Sequence, residues 1–157
     1  MGEVIYWTAL AADWIDYNGH LRDAYYGLIV SYACDALMDR LGMDAAYRGR
    51  TGNTLYTVET HAHFLREVKK NDTVEVRVRM LGADQKKIHA AFDVVRDGDG
   101  VVAASVEMML LHVHQGTDVT TAPFPPEVAG ALSRLVAATA GAPEVGPGSR
   151  RIELRRR

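Results

Sequence analysis

The spacing of apolar residues changes along the chain, and each change marks an element. Residues 4–10, VIYWTAL, are β-branched and aromatic and predict a first strand, followed by the loop AADWIDYNGH. From Asp23 the spacing lengthens to three and four. Tyr25, Leu28, Ile29, Tyr32, Ala33, Ala36, Leu37 and Leu41 form one stripe with Asp35 and Asp39 off it, which predicts a long amphipathic helix stopped by Gly42. MDAAYRGRTGN reads as a short helical turn and a loop.

Alternation then takes over. Residues 54–65 predict a strand with Tyr56, Val58, Ala62 and Phe64 on one face and Thr57, Glu59, His61 and His63 on the other. Past the turn KKND, Val74, Val76, Val78 and Met80 alternate with Glu75, Arg77 and Arg79, a strand with one face in solvent. The turn GADQ leads to residues 86–96, where Ile88, Ala90, Phe92 and Val94 share a face. DGDG marks a hairpin into residues 101–113, apolar on both faces and so a central strand. APFPPE opens a terminal helix reaching Thr139, with proline in its first turn. Strand, long helix, four antiparallel strands and final helix make an α+β plan in which the sheet wraps around the long helix.

At 157 residues and 48% hydrophobic content the chain can bury one core. We read residues 1–140 as a single domain and residues 141–157, GAPEVGPGSRRIELRRR, as a disordered tail. A formal net charge of −2 gives no bias toward nucleic acid or an anionic membrane, so neither is an expected partner. Cys34, the one cysteine, falls inside the helical run, where a buried, inert thiol is expected. No stretch approaches about eighteen consecutive apolar residues and no basic segment leads into a cleavable apolar one, so a cytoplasmic protein is expected.

The chemistry concentrates in Asp16-Tyr-Asn-Gly19-His20-Leu-Arg-Asp23-Ala-Tyr-Tyr26. Its glycine lets the backbone turn sharply and lets a substrate come close, and the helix start at Asp23 presents unpaired NH groups with the positive end of the helix dipole. The stretch resembles the D-x-x-G-H-x-N-N-x-x-Y signature of the 4-hydroxybenzoyl-CoA thioesterase branch of hotdog proteins, with Arg22 and Asp23 standing where asparagines are usual. The resemblance implies a hotdog fold: an antiparallel five-stranded sheet wrapped around the long central helix, here with an extra C-terminal helix. It also implies hydrolysis of an acyl-CoA thioester, with Asp16 as base or nucleophile, the NH of Asp23 as oxyanion donor and Gly19 shaping the site. A thioester needs that pairing of a carboxylate with hydrogen-bond donors, each donor being worth about 10²–10³ in rate and the base about 10²–10⁴. The dipole should help keep Asp16 ionised. The plain alternative is that Asp16 is a cap or turn residue and that His20 holds the loop by hydrogen bonds.

The segments WIDYNGHLRDAYY, ALMDRLGMDAAYR, TLYTVETHAHFLREVKKNDTV and MLLHV resemble more closely the thioesterases of carnitine breakdown, including those fused to carnitine dehydrogenase, whose substrate class is betainyl-CoA. A quaternary ammonium donates no hydrogen bond and is recognised by aromatic faces and carboxylates, each aromatic contact being worth about 0.5–2 kcal/mol. Trp14, Tyr17, Tyr25, Tyr26 and Tyr56 are the aromatic candidates, with core packing expected for at least Tyr25 or Tyr26. Glu59 is either a second catalytic carboxylate that orients water or a contact for the cation. Arg66, Lys69 and Lys70, or else Lys86 and Lys87, are placed to meet the phosphates of CoA. The resemblance further implies an active site formed between two subunits, hence a homodimer or homotetramer, and no metal or redox cofactor. Two other readings compete. One is a non-catalytic acyl-CoA-binding hotdog; the other is a metal-dependent enzyme built on two H-x-H pairs, His61 with His63 and His112 with His114.

Overall fold

The computed structural model describes residues 2–146, 148 and 152. Strand β1 (Glu3–Ala9) and a single 3-10 turn (Ala12–Trp14) precede the long helix α1 (Asp23–Arg40) and the short α2 (Ala45–Thr51). Strands β2 (Asn53–Phe64), β3 (Thr73–Ala83), β4 (Lys87–Arg96) and β5 (Val102–Gln115) follow, then the three-residue β6 (Val119–Thr121) and helix α3 (Pro126–Thr139). The sheet runs in the order β1-β3-β4-β5-β2, every pairing antiparallel. β6 adds a short sixth strand beside the end of β5, which three residues next to QGTD could not announce in the sequence.

Alternation along β3, β4 and β5 turns Val76, Val78, Ile88, Phe92, Val106 and Leu110 to one face, and all are buried. Helix α1 lies on that face through Tyr26, Ile29, Val30, Ala33 and Leu37. This is the hotdog arrangement, an antiparallel sheet around one central helix. The stripe read from the sequence is rotated in the structure: Tyr26, Val30 and Met38 are buried, whereas Tyr32 is exposed and leans on Tyr6 of β1. Helix α1 carries apolar residues nearly all round, so period alone does not select a face. The N-cap of α1 is Arg22, which makes no side-chain cap bond. A good cap is worth about 1 kcal/mol, and each fully buried Ile, Val or Leu about 1.5–3 kcal/mol, so packing holds this helix without a capping side chain from Arg22. Cys34 is half-buried, and burial pushes its thiol up to about 12.

Two further differences bear on the site. The β2–β5 register shifts between Thr57 and Glu59, so Val58 is an extra residue and the faces exchange there. Tyr56 therefore shares a face with Glu59, His61 and His63, not with Ala62 and Phe64. Arg79, read as solvent-facing, is 5% exposed. It points away from α1 yet is bound bidentately to Asp93, Nε to Oδ2 at 2.6 Å and Nη2 to Oδ1 at 3.1 Å, while Ser105 Oγ donates to Oδ1 at 2.7 Å. From the C-terminal segment, Glu144, Val145 and Gly148 line one small cavity with Arg79 and Ser105, and His63 Nε2 lies 2.8 Å from the Gly148 carbonyl. Apart from Ile152, the arginine-rich stretch RRIELRRR lies outside the described residues.

Candidate active site

The loop before α1 is a small hairpin. Asp16 NH donates to the His20 carbonyl at 2.8 Å, Gly19 NH to the Asp16 carbonyl at 3.1 Å, and Ile15 bridges Leu21. Gly19 sits at φ 80 with open space where a Cβ would stand, so glycine is needed there for the left-handed backbone. The turn points the Asp16 carboxylate back over itself: Oδ1 accepts the NH groups of Asn18 at 2.8 Å and His20 at 3.0 Å. Oδ2 has no hydrogen-bond partner among the described residues. Chiefly through the His20 amide, and further through the Asn18 amide and the charges of His20 and Arg22, the Asp16 carboxyl is held below its ordinary value of 3.8. The structure therefore names local amides as the cause of a shift whose direction the helix dipole alone would also have suggested.

The hairpin is clamped to the turn after β2. Leu21 NH donates to the Val68 carbonyl, Lys70 NH to the Gly19 carbonyl, and His20 bridges Lys69. That pairing carries the chain straight into α1. Arg22 NH is used by the Trp14 carbonyl, the Asp23 side chain takes the Ala24 NH at 2.9 Å, and the Asp23 NH itself has no acceptor among the described residues. Beside it lies a cavity of about 300 Å³ lined by His20, Leu21, Asp23, Tyr26 and residues 64–67. His20 Nε2 stands 3.3 Å from Glu67 Oε2 at its wall. Burial pushes the Tyr26 phenol above its ordinary value, and Phe64 meets that ring edge-on with centroids 5.2 Å apart.

Of the residues predicted for the site, Asp16, Gly19, His20 and Asp23 come together in the hairpin and helix start, and Tyr26 and Arg66 line the adjoining cavity. Lys69 and Lys70 run alongside the hairpin, whereas Lys86 lines a separate cavity with Gln85, Thr121 and Pro123. Trp14 stacks on Tyr25 with centroids 5.6 Å apart, and Tyr17 is 92% exposed at the hairpin tip. Tyr56 and Glu59 are not brought to this cavity. Tyr56 accepts from Gln115, and Glu59 lines a separate pocket with His61, His89 and Glu107. Phe64, Leu65 and Glu67 were missed by the sequence reading, because only the long-range clamp to residues 68–70 places them there.

The four histidines do not converge. His61 pairs across the sheet with Glu107, while His112 pairs with Leu55 near the other end of β2. His112 is fully buried and committed to the Tyr47 hydroxyl and the Ala122 carbonyl, and His114 bonds Asn53. Among the described residues no group of three or more His, Cys, Asp and Glu is arranged to hold a metal. No described helix is long and apolar enough to cross a membrane.

Comparison with known proteins bears on the same residues. The model of the thioesterase-like superfamily matches residues 10–132. The chain is 44% identical over 133 residues to the betainyl-CoA thioesterase of Pseudomonas aeruginosa, covering 85% of this chain and 83% of that one. It is 38% identical over 144 residues to the L-carnitine dehydrogenase/betainyl-CoA thioesterase of Agrobacterium fabrum, covering 90% of this chain and 29% of that longer protein. Among solved structures, one from Pseudomonas putida KT2440, described provisionally as a thioesterase, superimposes with a TM-score of 0.85 at 42% identity over 99% of both chains. A Staphylococcus aureus protein solved in complex with CoA shares the fold, with a TM-score of 0.90 at 21% identity over 99% of this chain and 98% of that one. The Asp16 hairpin opening into the central helix of a hotdog sheet lies wholly within the matched region, and the chain belongs to the thioesterase-like superfamily.

Proposed function

We propose that this protein hydrolyses betainyl-CoA to betaine and CoA. One observation carries the chemistry: a carboxylate with one oxygen held by two amides and the other unengaged stands in the same hairpin that delivers the open NH of Asp23. The acyl group is taken from the relatives, whose names specify betainyl-CoA. In this reading the thioester carbonyl oxygen accepts from the Asp23 NH at the positive end of α1, which stabilises the oxyanion that forms. Asp16 Oδ2 takes a proton from water as its oxygen adds to the carbonyl carbon. The C–S bond then breaks, the thiolate of CoA leaves and takes up that proton, and the free acid remains. No metal or redox cofactor enters these steps. Lys69 and Lys70, on the turn that clamps the hairpin, are proposed to meet the CoA phosphates.

We further propose a homodimer joined at β2, acting in the cytoplasm. Among the described residues β2, twelve residues long, is an edge strand paired with β5 alone, and it exposes Tyr56 and Val58. A twofold pairing of such an edge would cover those residues and give Glu59 its route to the partner's site.

The test is CoA release by the purified protein, without added metal, from betainyl-CoA beside acetyl-, isovaleryl- and 4-hydroxybenzoyl-CoA. Preferred release from betainyl-CoA is expected. Equal rates would reduce the reading to a general short-chain thioesterase, and no release from any would favour a non-catalytic binder. Sedimentation should show a dimer or larger; a stable, active monomer would contradict the β2 interface.

A further inference from the structure

The cavity beside α1 carries a group that the hydrolytic steps leave unused. Glu67 follows the end of β2, and its side chain is 67% exposed yet tethered by one oxygen to His20 at 3.3 Å. Next to it Phe64, 55% exposed, rests edge-on against Tyr26, so the rest of its ring is open. Asp23 supplies a second carboxylate to the cavity wall. Two arginines stand near it: Arg66 turns Nη1 to the Leu65 carbonyl at 2.7 Å, and Arg96 donates to the Glu67 carbonyl at 2.9 Å while its charge is paired with Asp99 at 2.6 Å. An aromatic ring beside two acidic side chains is the environment a bulky cation without N–H groups requires: attraction from a ring and from charge, with no demand for an acceptor in hydrogen-bond geometry.

We infer that Glu67 and Phe64 form the subsite for the trimethylammonium head of the acyl group, and that Glu67 determines selectivity for a cationic over a neutral acyl chain. The inference rests on the betainyl-CoA reading above and assigns that recognition to residues other than the aromatics and Glu59 suggested by the sequence. His20 acts here as a positioning residue. Its ring fixes one Glu67 oxygen at the cavity wall. A single charge a few ångströms from the cation in a half-wet site is worth on the order of tenfold in selectivity.

The experiment compares kcat/KM for betainyl-CoA with that for 3,3-dimethylbutyryl-CoA, in which a carbon replaces the quaternary nitrogen at nearly unchanged shape. The ratio is measured in the unaltered protein, in Glu67→Gln, in Phe64→Leu and in His20→Asn. Glu67→Gln should lower the ratio about tenfold, mostly through KM for the betainyl ester, and Phe64→Leu about threefold. His20→Asn, which frees the Glu67 carboxylate but keeps its charge, should lower the ratio less than Glu67→Gln does, about threefold, through KM for the betainyl ester. A Glu67→Gln ratio equal to that of the unaltered protein, or both substrates falling in parallel, would overturn the inference while leaving the betainyl reading intact. If the unaltered protein itself shows no preference for the betainyl ester, the reading of the acyl group fails first and the inference falls with it.

Discussion

Asp16 and Asp93 are both aspartates fixed by hydrogen bonds, and they do opposite things with the same chemistry. Asp93 is 4% exposed, and both of its oxygens are occupied, by the Arg79 guanidinium and the Ser105 hydroxyl. Asp16 is half-buried and gives one oxygen to two backbone amides while the other stays unengaged. A carboxylate whose oxygens are both committed serves the fold, and one held by half and open by half can accept a proton. Asp84 sharpens the point. It too accepts two amides through Oδ1, from Lys86 and Lys87, and those amides hold its carboxyl below 3.8. What Asp84 lacks is an open helix amide beside it, so a lowered pKa alone does not mark the catalyst.

Matched substitutions test that contrast. Asp16→Asn keeps an oxygen for the Asn18 and His20 amides but removes the base, so kcat should fall by about 10²–10⁴ with little change in the thermal midpoint. Asp93→Asn should do the reverse: a buried guanidinium loses its counter-charge, costing about 3–5 kcal/mol of stability, while the folded fraction keeps its turnover per active site. The two are separated by denaturation curves read beside active-site-normalised rates. A stable, inactive Asp93→Asn or an unfolded Asp16→Asn would break the comparison. Gly19→Ala comes next. It forces a side chain into the left-handed region at φ 80 and should cost about 1–2 kcal/mol, with a loss of kcat smaller than that of Asp16→Asn because the base is displaced but present.

The same contrast explains what could be read from the sequence. The strands and α1 were legible because burial imposes a period, and Asp16, Gly19 and Asp23 were legible because a hairpin and a helix start are local events. The buried face of α1 was not, since the helix is apolar nearly all round. The faces of β2 were not, since one extra residue at Val58 exchanges them. Arg79 and Asp93 lie on neighbouring strands, and alternation marks both as outward-facing without showing that they meet and are covered. Glu67 and Phe64 depend on the clamp between Leu21 and Val68 and between His20 and Lys69, which no local pattern announces.

The smallest effect expected is the dependence on acidity that Asp16 contributes. Its folded value lies below 3.8, so the charge favours folding at every pH above the unfolded value, and that contribution is lost as pH falls through the folded one. The gap in urea midpoint between the unaltered protein and Asp16→Asn should therefore be constant near neutrality and narrow only below about pH 4. Asp84 and Asp99 titrate with the same sign, which is why the difference between the two proteins is the informative quantity. On the kinetic side, protonation of Asp16 should produce no acid limb in kcat/KM between about pH 5 and 7. A limb in that window in kcat, absent from kcat/KM and persisting in Glu67→Gln and in His20→Asn, would mean that binding substrate dries the Asp16 site enough to raise its carboxyl, and that the loop amides do not alone set its state.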